Sequence, residues 1–166
     1  MLSKKVQKAL NEQINAELYS AYLYLSMSNQ LASKNLPGMA GWLRIQATEE
    51  MGHAMKIYDF VHGRNGEVEL FKIEVPPAKW GTPLQAFEAT YEHEKKVTRM
   101  IHDLVDLALA EKDHATHNFL HWFVDEQVEE EASALEVVDK LKMVKDYPEG
   151  LFMMDRELGQ RQLGGE

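Results

Sequence analysis

The chain has no cysteine. Disulfides, thiolate metal sites and a nucleophilic thiol are therefore all excluded. Proline is scarce, at five in 166 residues, so little interrupts helix formation. No apolar run approaches the length needed to cross a bilayer. The N-terminus, Met1-Leu2-Ser3-Lys4-Lys5-Val6, passes directly into an amphipathic pattern without the apolar stretch of a secretory signal, so a cytoplasmic protein is expected. Positive charge is also short: 18 Lys and Arg against 27 Asp and Glu give a formal net charge of −9. That balance argues against a nucleic-acid partner and suits a protein that gathers cations. The length predicts one domain, residues 1–166, with a proper hydrophobic core.

Helical periodicity fills most of what remains. Ser3 is an N-cap candidate for a first helix to about Ser33, and Asn35-Leu36-Pro37-Gly38 makes a turn into a second helix that ends near Arg64. From Asn65-Gly66 to Gly81 the pattern reads as an extended connection, with Val68, Ile73 and Val75 leading into Pro76-Pro77. Thr82-Pro83 places an N-cap and a first-turn proline before a third helix to about Glu111. Asp113 caps a fourth helix to about Asp146, and Tyr147-Pro148 separates it from a short Met-rich helix over 149–162. The bundle proper is thus about 3–146.

Connection lengths set the topology. Short turns between the first and second, and the third and fourth, helices force antiparallel pairs. A helix of roughly 27 residues is about 40 Å long, and a connection of roughly 16 residues can extend about 50 Å. The middle connection can therefore run the length of the bundle, giving up-down-down-up order with one long crossover.

Steps alternating between three and four residues mark the face each helix turns to the bundle axis. The four tracks are Leu10-Ile14-Glu17-Ala21-Tyr24, Met39-Leu43-Gln46-Glu50-His53-Ile57-Phe60, Leu84-Phe87-Tyr91-Glu94-Thr98-Ile101-Val105 and Leu120-Phe123-Gln127-Glu130-Ala134-Val137-Leu141. Each is apolar at both ends and polar near its middle. At equal depth, Glu17, Glu50, His53, Glu94, Gln127 and Glu130 should converge. Glu50-x-x-His53 puts a carboxylate and an imidazole on one face, a turn apart. Buried carboxylates are costly without positive charge among them, and no Lys or Arg lies on these tracks at that level. Bound metal is the simplest resolution. An oxygen-rich, sulfur-free donor set with one imidazole favours iron or manganese over structural zinc. Five acidic or imidazole groups exceed the needs of one ion, so two ions are expected, with Glu50 as the natural bridge.

Several segments carry a family likeness: Gln13 to Tyr24, Glu49-Glu50-Met51-Gly52-His53-Ala54-Met55, Pro76-Pro77 followed by Trp80, Tyr91-Glu92-His93-Glu94, and Phe123 to Glu131. In number and order they resemble a prokaryotic non-haem ferritin over essentially the whole chain. The resemblance implies an all-α, ferritin-like four-helix bundle with a short fifth C-terminal helix. It implies one iron site of Glu17, Glu50 and His53, and a second of Glu50, Glu94 and Glu130 with Gln127 close by. Tyr24 matches the tyrosine beside the ferroxidase centre of that family. A third iron site would use Glu49, Glu126, Glu129 and Glu130. The implied activity is oxidation of Fe(II) by O2 or H2O2, with storage of Fe(III) as mineral in a hollow 24-subunit homo-oligomer. Leu151, Phe152, Met153 and Met154 of the fifth helix would make its subunit contacts.

Some positions depart from related patterns. Haem-containing bacterioferritins repeat Glu-x-x-His on the fourth helix, where this chain has Gln127 and Glu130, so no haem is expected. Animal-type ferritins place acidic pore residues near the start of that helix, where this chain has His114, His117, Leu120 and His121. His117 reads as a surface histidine, as do His62, His93 and His102, and Trp122 as packing. The enzymatic alternative is a rubrerythrin-like diiron peroxidase or oxidase without mineral storage. Such proteins usually carry a cysteine-rich module or a second Glu-x-x-His, and this chain has neither. The non-enzymatic alternative is a bundle whose carboxylates only bind metal.

Overall fold

The computed structural model describes residues 2–164. It contains α1 (Lys4–Ser33), α2 (Pro37–Gly63), α3 (Pro83–Ala110), α4 (His114–Val144) and α5 (Pro148–Leu158), and no strand among the described residues. No helix among these residues is long and apolar enough to cross a membrane.

The helix starts follow from local chemistry. Ser3 Oγ accepts from Val6 N, and Asp113 accepts from Thr116 N. Thr82 and Gln85 form a reciprocal capping box ahead of Pro83. The turns before α2, after α2 and before α4 place Asn35, Asn65 and Lys112 at positive φ. Asparagine tolerates that conformation better than most side chains. Leu36 gives α2 no side-chain cap. The missing acceptor comes from far along the chain: Asp155 Oδ1, on α5, accepts from Met39 N at 2.8 Å.

Paired contacts fix the topology. Ser28 donates to the Ala40 carbonyl, and Tyr24 to Glu94. Gln46 meets Glu130 and Arg64 meets Asp113, while Gln127 meets Glu94. Each neighbouring pair is thus antiparallel, in up-down-down-up order. The crossover is tied to α1 at both ends. Asn11 and Gln7 hold Glu67, while Gln30 holds Trp80 and Gly81, and Ser26 holds Pro77.

The core divides in two. One apolar cluster is built from Val6, Leu10, Ile14, Ile57, Val61, Ile101, Leu120 and Phe123. The other contains Met27, Leu31, Met39, Leu43, Phe87, Val137 and Leu141. Burying a side chain of this size contributes about 1.5–3 kcal/mol, so these two slabs hold the helices in register and fix the polar middles of the four tracks at one level.

The fifth helix differs from expectation. It ends at Leu158, not Gln162, because the chain turns where Gly159 lies against Gly38; a Cβ on Gly159 would stand 3.2 Å from the Gly38 Cα. Met154 is buried against its own bundle together with Leu158, so it is not free for subunit contact, whereas Phe152 and Met153 are exposed.

Candidate metal centre

Between the two apolar slabs lie Glu17, Gln46, Glu50, His53, Glu94, Gln127 and Glu130, all buried. Three overlapping triads have potential ligand atoms within 4.8 Å of one another: Glu17-Glu50-His53, Glu50-Glu94-Glu130 and His53-Glu126-Glu130. Glu50 belongs to the first two, the position expected of a bridging carboxylate. All six side chains placed at this depth by the helical tracks come together.

The hydrogen bonds show how the layer is held. Gln13 donates to Glu17 at 2.9 Å, and the other Glu17 oxygen is buried without a partner. Tyr24 donates its hydroxyl to Glu94, as does the Gln127 amide at 3.2 Å. Gln127 is therefore a donor to the layer in this structure. His53 lies between two carboxylates, with Nδ1 3.4 Å from Glu50 and Nε2 3.6 Å from Glu126. Glu126 is thus the acceptor that can fix the outer ring nitrogen of His53 and leave Nδ1 facing the layer.

Burial dominates the electrostatics. It pushes the Glu94 carboxyl up to about 8, helped by the neighbouring Glu130 charge and opposed by Tyr24 and Gln127. Burial likewise takes Glu130 up to about 7 against the Gln46 hydrogen bond. Glu17 is raised by burial, and Glu50 more strongly by burial and the Glu94 charge. Burial alone would lower His53, but Glu126 and Glu50 hold its proton and bring it to about 11. Tyr24 is pushed well above its usual range by burial and by Glu94, which keeps it a donor. The layer therefore stores protons that a cation would displace.

These residues fit a metal pair chemically. The donors are carboxylate oxygens and one imidazole, and one buried Glu17 oxygen lacks any partner. Such an orphaned acceptor is costly unless something satisfies it.

Beside the layer, a cavity of about 510 Å³ is lined by Glu49, Glu126, Glu129, Glu130 and Arg161. All the residues expected at a third site reach it. So does a cation that the helical tracks did not include. Arg161, from the tail after α5, donates to Gln46 Oε1 at 2.8 Å and Glu49 Oε2 at 2.6 Å, and its guanidinium lies 4.2 Å from the Trp42 ring centroid. Gln46 passes the contact inward, donating to Glu130 at 2.5 Å and Glu50 at 3.4 Å. No Lys or Arg lies on the helical tracks at this level, as expected, and Arg161 arrives from outside them. Gln46 was visible as the polar position one turn before Glu50; nothing local marks Arg161.

His93 also differs from expectation. It is not a free surface histidine, since Ser20 Oγ lies 2.7 Å from its Nε2 and its ring meets the Tyr24 edge. Burial, with Lys96 nearby, lowers it to about 4. Trp122 packs edge-on to His53, with Lys56 over its ring. His62 and His102 are exposed.

The Ferritin-like domain family profile matches residues 7–144. The chain belongs to the ferritin family. A bacterial non-heme ferritin of Bacteroides fragilis (strain 638R) is 50% identical over 161 residues, covering 97% of this chain and all of the relative. One from Campylobacter jejuni is 44% identical, covering 94% of this chain and 93% of the relative. Among ferritins of known structure, the open pore ferritin of the hyperthermophilic archaeon Archaeoglobus fulgidus superposes with a TM-score of 0.97 at 54% identity, covering 98% of this chain and 100% of that one. The all-α ferritin-like bundle with a short C-terminal helix is therefore the fold of this chain.

Proposed function

We propose that the protein is an iron-storage ferroxidase. Fe(II) is its substrate, bound as a pair by Glu17, Glu50 and His53 on one side and by Glu50, Glu94 and Glu130 on the other. The observation that carries this reading is the sharing of Glu50 between two buried triads whose ligand atoms lie within 4.8 Å of one another. The pair of ferrous ions gives up two electrons, which with two protons reduce O2 to H2O2, or H2O2 to two molecules of water. Carboxylates favour the ferric product over the ferrous reactant. His53 yields the Nδ1 proton on metal entry, while Glu126 retains the one on Nε2. Tyr24 and Gln127 hold Glu94 in place.

Fe(III) then passes to mineral within a homo-oligomeric cage, by way of the cavity bearing Glu49, Glu126 and Glu129. Exposed Leu70 and Val75 on the crossover and Phe152 and Met153 on α5 support self-association. A 24-subunit assembly of single-domain chains in the cytoplasm is the form we assign.

Adding Fe(II) in air and separating the product by size tests the proposal. Rapid ferric absorbance at about two irons per chain, with iron in a very large assembly, is expected. Oxidation no faster than buffer, or iron on a monomer or dimer, overturns it. Glu50→Ala with Glu94→Ala should abolish the fast phase and leave the assembly intact; a protein that merely binds iron would oxidise it at the same rate either way.

A further inference from the structure

Away from the carboxylate layer, α4 carries His117 and His121 one turn apart. Their Nε2 atoms are 3.3 Å apart, and their rings meet edge-on with centroids at 4.5 Å. Two imidazole nitrogens bound to one tetrahedral ion at about 2.0–2.1 Å are separated by about 3.3–3.4 Å. The free side chains already hold that bite. We propose that His117 and His121 form a bidentate site for a borderline transition-metal dication, with zinc as its representative, independent of the iron pair.

The scaffold beneath them is fixed. Asp113 caps α4 and takes two hydrogen bonds from Arg64, at 3.0 and 3.3 Å. Thr116, buried between the two histidine-bearing turns and this cap, also bonds to both. Holding the first turns rigidly lowers the ordering cost of chelation. His121 also lines a groove of about 540 Å³ between α3 and α4, with His102, Asp106 and Asp125. His102-Asp106 and His121-Asp125 each span one helical turn. Asp106 and Asp125 share this groove with His121, and the positions two imidazoles leave open fall to solvent water. Imidazole donors select zinc, copper, nickel and cobalt over magnesium and calcium, and bind ferrous iron more weakly. A shared proton could also join two imidazoles at this distance, and metal would then have to displace it.

The test is zinc binding by equilibrium dialysis and calorimetry on the assembled protein. It is run in the native sequence and in a Glu50→Ala/Glu94→Ala background that cripples the carboxylate layer. In that background His117 and His121 should account for roughly one zinc per chain, beyond any held by Glu49, Glu126, Glu129 and Glu130. Losing even an indirect support of a ligand costs about 10- to 100-fold in affinity, so His117→Ala or His121→Ala alone should weaken binding roughly tenfold or more. Cobalt should show tetrahedral visible bands that either substitution removes. His114→Ala, an exposed neighbour, should change nothing. Zinc uptake unaffected by His117→Ala/His121→Ala would show that the pair only shares a proton. Equal losses with His114→Ala would show diffuse surface binding, and either result overturns the site. Because the background lacks fast iron oxidation by design, failure here is distinct from failure of the ferroxidase reading.

Discussion

Arg161 Nη2 stands 2.6 Å from Glu49 Oε2 and joins the tail after α5 to the acidic cavity beside the buried layer. The guanidinium occupies the place where a cation would otherwise neutralise Glu49, and it orients the Gln46 amide toward Glu130 and Glu50. The tail is therefore coupled both to the acidic cavity and, through Gln46, to Glu130 and Glu50 of the buried layer.

Arg161→Ala should strengthen binding of a third divalent cation by roughly tenfold, about 1.4 kcal/mol. That is a fraction of the Coulomb energy of a pair near the surface. Manganese titration followed by electron paramagnetic resonance reads this directly. Glu49→Gln should remove the gain, and unchanged third-site occupancy in Arg161→Ala would show that the arginine does not compete with metal.

Metal binding should release protons and tighten with pH through the range 7 to 8, because Glu130 sits at about 7 and Glu94 at about 8 in the metal-free layer. Titrations in buffers of different ionisation enthalpy measure the release. The same shifts set the stability of the metal-free protein. Both carboxyls are raised on folding, so their contribution is fully present below their unfolded value and is lost as pH rises through 7 and 8. His53, raised to about 11, acts in the same direction above its own unfolded value. Metal-free melting temperatures should fall as pH climbs from about 5 to 8, and Glu94→Gln should flatten that slope.

Tyr24→Phe removes the hydroxyl that donates to Glu94. A hydrogen bond to a charged group contributes about 1.5–3 kcal/mol, and without it the Glu94 carboxyl should rise further. The expected result is weaker metal binding at neutral pH, largely recovered at higher pH. A loss independent of pH would indicate a packing defect instead.

Gly38→Ala tests the docking of α5. A Cβ at that position would meet the Asp155 carbonyl oxygen at 1.7 Å, so α2 and α5 must separate. Overpacking of this kind typically costs about 1–3 kcal/mol, visible in thermal unfolding. Asp155→Ala removes the α2 cap and should cost about 0.5–2 kcal/mol. Both should also loosen Arg161 and so raise third-cation binding, a coupling that a purely local defect would not produce.

The sequence by itself determined the four long helices, their up-down-down-up order and the level at which six polar side chains meet. Those features depend on spacing along one helix and on the reach of one connection. Glu17, Glu50, His53, Glu94, Gln127 and Glu130 were legible because each interrupts an apolar track at a comparable depth. Tertiary structure alone decided what reaches that level from outside the tracks. Arg161 lies beyond the fifth helix, and its arrival depends on Gly38 and Gly159 packing close enough to turn the tail inward. Asp155 caps a helix more than a hundred residues earlier, and His93 is withdrawn from solvent by Ser20 and Tyr24. Helical periodicity carries information over one or two turns; contacts made by a tail or between distant helix ends are set by the packed geometry of the whole chain.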